Sequence, residues 1–195
     1  LVQEDAGFYQ HDGFSLPAIR ESLVSDLQAG GTRRGASTIT MQLARNLFLR
    51  RHKTLARKAQ EVVYTWWLET TLGKDRILEM YLNVVEFGPR VYGIGAASRY
   101  YFQRDAAGLN AAQAAFLASV LPAPYRAHRE VAAAGALPAE LAGQIRGLLR
   151  RMAAAGRLSP DQLRVALAQV AELHPATGSP LPTATDDSGE TEEAT

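Results

Sequence analysis

The sequence predicts an all-α protein, and three observations carry that prediction. Apolar residues recur at helical spacing along most of the chain. Capping residues and prolines stand where such helices would start and stop. Runs with the period-two pattern of strands are nearly absent, and no internal repeat is found. At 195 residues the chain is long enough for one domain with a sizeable core, placed at 1–174, followed by a disordered acidic tail at 175–195.

Taken in order, Glu4 to Gly13 reads EDAGFYQHDG. It mixes carboxylates, aromatics and a histidine with no clear period, which fits either a functional loop or a surface turn with anchoring aromatics. Ser15 to Gly31 reads as a helix, with Pro17 in its first turn and a stripe of Ile19, Leu23 and Leu27. Ser37 is the expected cap of a helix through Leu49, with Ile39, Leu43 and Leu47 facing the core. The free N–H groups at that start, with the Ser37 and Thr38 hydroxyls, make an anion site, while Gln42 and Arg45 share one face. A capped helix with a solvated basic face explains the same residues.

Lys53 to Gly73 is expected to be long, central and buried, because Val62, Val63, Tyr64, Trp66, Trp67 and Leu68 leave little polar surface. A polar line of Arg57, Glu61 and Thr65 runs through it at spacing four. Either Arg57 and Glu61 form an ion pair along the helix, or Glu61 is a carboxylate held in a cleft by cations. Lys74 to Asn83 continues as a short scaffold helix with Ile77, Leu78, Tyr81 and Leu82 inward. Gly93 and Gly95 lack the third glycine and the preceding strand of a dinucleotide loop. Asn110 caps an Ala-rich buried helix through Leu121, closed by Pro122 and Pro124, and helices near 138–155 and 160–172 follow. Beyond Pro175 the composition turns Pro/Thr/Gly-rich and then acidic.

Net charge is +1, but five carboxylates fall in the last ten residues, and without them the body is about six positive. Cations concentrate at Arg33, Arg34, Arg45, Arg50, Arg51, Lys53, Arg57 and Lys58, and no Asp or Glu lies between Asp26 and Glu61. Such a segment favours an anionic partner. One aromatic, Phe48, sits within it, against the interleaved stacking residues of single-strand binders, so nucleic acid is not expected. There is no cysteine, which excludes disulfides, thiolate nucleophiles and Cys-ligated zinc. No run is apolar enough to span a bilayer. The chain begins without Met and reads as a fragment or processed form.

Five stretches, in order, resemble the motifs of the peptidoglycan glycosyltransferases, glycosyltransferase family 51. Glu4, Asp5, Phe8, His11 and Gly13 match Glu-Asp-x-x-Phe-x-x-His-x-Gly. Gly35 to Asn46, GASTITMQLARN, matches Gly-Gly-Ser-Thr-Ile-Thr-Gln-Gln-Leu-x-Lys-Asn. Arg57, Lys58 and Glu61 match Arg-Lys-x-x-Glu, with Leu68 and Glu69 closing it. Ile77 to Asn83 matches Ile-Leu-Glu-x-Tyr-Leu-Asn, and Gly95, Ala96, Ala97, Tyr101 and Phe102 match the last. Absence of Ser-x-x-Lys from this chain and the run Arg33 to Ser37 resemble the monofunctional subgroup.

The resemblance implies a lysozyme-like large lobe with a small membrane-proximal lobe, the latter trimmed by the short span from Gly13 to Gly35. It implies an enzyme polymerising lipid II into glycan strands, with inversion and undecaprenyl pyrophosphate leaving. Glu4 would be the general base and Glu61 a second catalytic carboxylate that helps the donor. Asp5, Phe8, His11, Gly35, Ser37, Thr38, Thr40, Gln42, Arg45, Asn46, Arg57 and Lys58 would serve the substrate site. Asp5 would orient Glu4 or contact a divalent ion. No cofactor is implied with certainty; Mg or Mn at the pyrophosphate is the candidate. The implied partners are lipid II, the growing glycan strand, the membrane surface and cell-wall synthesis proteins, at the periplasmic face of the inner membrane. Met41 replaces a Gln of the motif, Ala36 a Gly and Arg45 a Lys. The rival readings are a lytic murein hydrolase, which needs no dense cationic site, and an inactive family member acting as a scaffold.

Overall fold

The structure, a computed structural model, describes residues 1–15, 37–49 and 55–177. Past Ser15, the helix expected to Gly31 lies outside the described residues, as do Gly35 and the tail beyond Thr177. Among the described residues eight α-helices and one two-stranded sheet form the chain, in keeping with the predicted all-α class.

Helix α1 is Ile39–Phe48. Its cap is Thr38, not the expected Ser37: Thr38 is the extended residue before the first turn, and its hydroxyl accepts from the Met41 N–H at 3.2 Å. Ile39 and Leu43 are buried as expected, with Thr40, Met41 and Ala44 beside them. Leu47, expected inside, is exposed in the last turn.

Helix α2, Leu55–Thr71, inverts the expectation. Trp66 is 61% and Trp67 47% exposed, and Val62 and Val63 also face out. The inward row is the polar line: Glu61, Thr65 and then Leu68, all essentially inaccessible. Helix α3, Lys74–Val84, buries Ile77 and Tyr81. α1 packs on both α2 and α3.

A short hairpin and helix, unforeseen in sequence, follow. Strands β1 (Glu86–Gly88) and β2 (Val91–Tyr92) pair antiparallel, Glu86 opposite Tyr92 and Gly88 opposite Val91. Helix α4, Ile94–Phe102, starts after Gly93, so the glycines there open a helix beside an antiparallel pair. Helix α5, Ala111–Val120, is the central one: Asn110 and Gln113 form a capping box, and Ala112, Ala115, Phe116, Leu117, Ser119 and Val120 are buried. Pro124 opens a further helix, α6, Pro124–Ala134, where only a stop was expected; a proline in the first turn loses no helical hydrogen bond. Helices α7 (Ala139–Ala154) and α8 (Pro160–Ala171) pack on α5 and on each other, and Ser159 with Gln162 caps α8. One hydrophobic core, from Phe8 to Leu173, runs through all of these elements. Each large side chain fully buried in it contributes about 1.5–3 kcal/mol.

Candidate active site

The segment before α1 is a tight loop tied down at several points. Asp5 N–H donates to the Leu1 carbonyl at 2.8 Å, and Phe8–Gln10 makes one 3-10 turn. The Phe8 ring is fully buried, Tyr9 donates to Asp75 at 2.8 Å, and Gln3 accepts from Arg151 at 2.7 Å. At the loop's far end Gly13 has φ +85°, and a Cβ there would come within 2.8 Å of Thr65 and 2.9 Å of Glu69. Glycine is therefore required both for the backbone angle and for the close approach to α2.

Glu4 projects from this loop onto a polar cleft of about 470 Å³ lined by Gln3, Ser37, Gln42, Arg45, Leu121 and Pro122. Its Oε2 accepts from Gln42 Nε2 at 3.1 Å, and Gln42 Oε1 accepts from the Tyr81 hydroxyl at 3.1 Å. Burial pushes the Tyr81 phenol well above its ordinary pKa, the nearby Glu4 charge adds to this, and Arg45 opposes it. Gln42 and Arg45 share the cleft, as their spacing on one helix face predicted.

Asp5 sits behind the cleft rather than in it. Its buried carboxylate accepts from His11 Nε2 at 2.9 and 3.1 Å and from the Ile39 N–H at 3.1 Å. The Gly13 N–H donates to His11 Nδ1 at 3.2 Å, so in the neutral ring Nε2 carries the proton and donates to Asp5. The anion at the start of α1 is thus the protein's own Asp5, favourably placed at a helix N-terminus. Thr38 is likewise engaged internally, donating to the Gly13 carbonyl at 2.7 Å while capping α1. Of the expected cradle, the Ile39 and Met41 N–H groups and the Thr38 hydroxyl are taken up by the protein itself, while Ser37 lines the cleft.

Glu61 is 1% exposed and pairs with Lys58, three residues earlier, at 2.7 Å. Glu61, Lys58 and the half-buried Arg57 lie on α2 and are not among the residues lining the Glu4 cleft. Asn46 is exposed on α1. Met41 is buried, so the side chain replacing the motif's Gln fills core rather than the cleft.

A third carboxylate, read in the sequence only as the end of a motif, organises the interior. Glu69 accepts from the Thr40 hydroxyl and from Lys74 at 2.7 Å, and the Lys74 ammonium lies 4.6 Å from the Phe8 ring centre. Glu69 continues the Glu61–Thr65 line at the same spacing, which is the signal that could have found it. Among the described residues no group of three or more His, Asp or Glu is arranged to hold a metal, and Asp5 is committed to His11 and Ile39. The described residues therefore form no such cluster beside Glu4.

The comparisons agree with the motifs. The profile of the family described as transglycosylase matches residues 1–153. A biosynthetic peptidoglycan transglycosylase of Paraburkholderia xenovorans is 46% identical over 157 residues, 80% of this chain and 62% of the relative. Relatives of the same name from Alcanivorax borkumensis and Acinetobacter baylyi are 51% and 48% identical over 124 residues, 64% of this chain in both cases. The chain spans 51% and 55% of those two proteins.

Proposed function

The chain belongs to the transglycosylase family, and from that premise we propose that it polymerises lipid II into peptidoglycan glycan strands. The observation that carries the reading is Glu4: a carboxylate on the wall of a polar cleft, held by Gln42 with Arg45 nearby. In this reading Glu4 takes the proton from the 4-hydroxyl of the acceptor sugar. The freed oxygen attacks C1 of the donor strand's reducing-end sugar with inversion, the C1–O bond to pyrophosphate breaks, and undecaprenyl pyrophosphate leaves. A base must be held within reach of the proton it removes, and the anchored loop around Phe8 and His11 does this.

Arg45, with Arg57 and Lys58 on the neighbouring helix, would offset the charge that grows on the departing pyrophosphate. Glu61 then acts as a helper, its buried carboxylate fixing Lys58. The outward Val62, Val63, Trp66 and Trp67, with Phe48 stacked 4.7 Å from Tyr64, form an aromatic surface suited to the interfacial zone of a bilayer. No helix of the described residues is long and apolar enough to cross one. This surface supports contact with a membrane, and the family reading puts that contact at the periplasmic face of the inner membrane.

Glu4→Gln keeps the shape and the Gln42 contact while removing the base. Polymer formation from lipid II in detergent should fall by about 10²–10⁴-fold with the unfolding midpoint little changed. Near-normal turnover would remove Glu4 from the base role. Soluble muropeptides from purified sacculi, with no polymer from lipid II, would mark a hydrolase instead.

A further inference from the structure

We infer that Tyr81, which does not line the cleft, is a positioning residue that fixes which end of the Gln42 amide faces Glu4. The inference rests on the reading of Glu4 as general base. A glutamine amide offers an NH₂ and a carbonyl oxygen of nearly the same shape, so contact alone does not choose between them. An ionised carboxylate only accepts, and the orientation that serves Glu4 presents Nε2 to it, as at the 3.1 Å contact. That choice aims Oε1 at Tyr81, whose hydroxyl must then donate, and it does so at 3.1 Å.

Tyr81 is suited to be a permanent donor. Its ring is 2% exposed in the core, so water does not compete for the hydroxyl. Burial holds the phenol protonated well past its ordinary range, and Glu4 adds to that effect while Arg45 opposes it. The relay therefore runs in one direction, from Tyr81 O–H to Gln42 and from Gln42 N–H to Glu4. With Nε2 bound to Oε2, the other carboxylate oxygen has no hydrogen-bond partner among the described residues and is left for the acceptor hydroxyl. Were the amide reversed, its oxygen would meet the carboxylate and turn Glu4 away from the cleft. Sequence alone shows Tyr81 as an inward aromatic of α3 and the Tyr of the Ile77 to Asn83 motif, without the partner of its hydroxyl.

The test is a double-mutant cycle on lipid II polymerisation with the purified chain. Tyr81→Phe keeps the ring and removes the donor. It should lower kcat about tenfold, the upper end of the scale of one neutral hydrogen bond, while KM changes less than about twofold. In a Gln42→Met background there is no amide to orient, so Tyr81→Phe should cost less than about twofold more. Equal losses in both backgrounds would mean a packing role and overturn the inference, as would full kcat in Tyr81→Phe. Gln42→Met alone checks the same link with Tyr81 intact should Tyr81→Phe not fold; full kcat there overturns it too. Retained turnover in Glu4→Gln would instead sink the base assignment, a result separable from the cycle.

Discussion

Removing the Lys74 cation tests whether the Glu69 cluster is an interior anchor behind the Glu4 loop. Lys74→Met keeps an unbranched apolar stem and deletes the ammonium that lies 2.7 Å from Glu69 Oε1. The side chains are 18% and 7% exposed, so the pair is largely buried. Breaking a buried pair costs about 3–5 kcal/mol, because it leaves a charge without compensation. Glu69 keeps the Thr40 hydroxyl and Lys74 touches some solvent, which brings the loss to about 2–3 kcal/mol. The lost contact with the Phe8 face adds about 0.5–1 kcal/mol, for roughly 3 kcal/mol in all. In a chain of this size that lowers the melting temperature by about 6–12 °C. Arg76→Met is the control: its pair with Glu79 has side chains 59% and 58% exposed and should contribute less than about 0.5 kcal/mol. Urea unfolding followed by circular dichroism reads both variants. A Lys74→Met loss within about 1 kcal/mol of the control would refute the argument that this pair is an interior anchor.

Two further outcomes follow from other parts of the fold. His128 bonds the Tyr100 hydroxyl at 2.8 Å, and burial lowers its pKa below the ordinary 6.5, so the unfolded chain takes up the proton first. Its contribution is complete above about pH 6.5 and is lost as pH falls through the lower folded value, so stability measured from pH 7.5 to 5 should fall less steeply in His128→Gln than in the parent. Trp66→Ser with Trp67→Ser should weaken sedimentation with anionic liposomes while shifting the unfolding free energy by under about 1 kcal/mol, because both rings are already largely outside; unchanged liposome binding would move the membrane contact elsewhere.

Helices with local signals were legible in the sequence. Asn110 with Gln113 and Ser159 with Gln162 announce α5 and α8 through capping boxes that need only neighbouring residues. Gln42 and Arg45 fall on one cleft because three residues along a helix is nearly a full turn. What was not legible depended on partners distant in sequence. The start of α1 looked like an empty anion site because Asp5, which fills it, lies 34 residues away. Glu69 and Lys74 gain their roles from Thr40 and Phe8, on other elements. Helix α6 was hidden because Pro124 serves as well to start a helix as to end one.

The inverted α2 shows why composition misjudged the centre of the molecule. Periodicity reports that a helix has faces but not which neighbour each face meets. By apolar area alone, Val62, Val63, Trp66 and Trp67 should have turned inward. The opposite face carries residues with fixed appointments. Glu61 holds Lys58, Thr65 lies against Gly13, and Glu69 joins Thr40 and Lys74. A half-turn of α2 would expose all of these contacts and open the backing of the loop that presents Glu4. It would also bring Trp67 toward Gly13, which leaves no room even for a Cβ. The small space at Gly13 thus selects the polar row, and the aromatic face is left outward by exclusion. Helix α5, Ala-rich and without a polar row to satisfy, takes the buried central position instead.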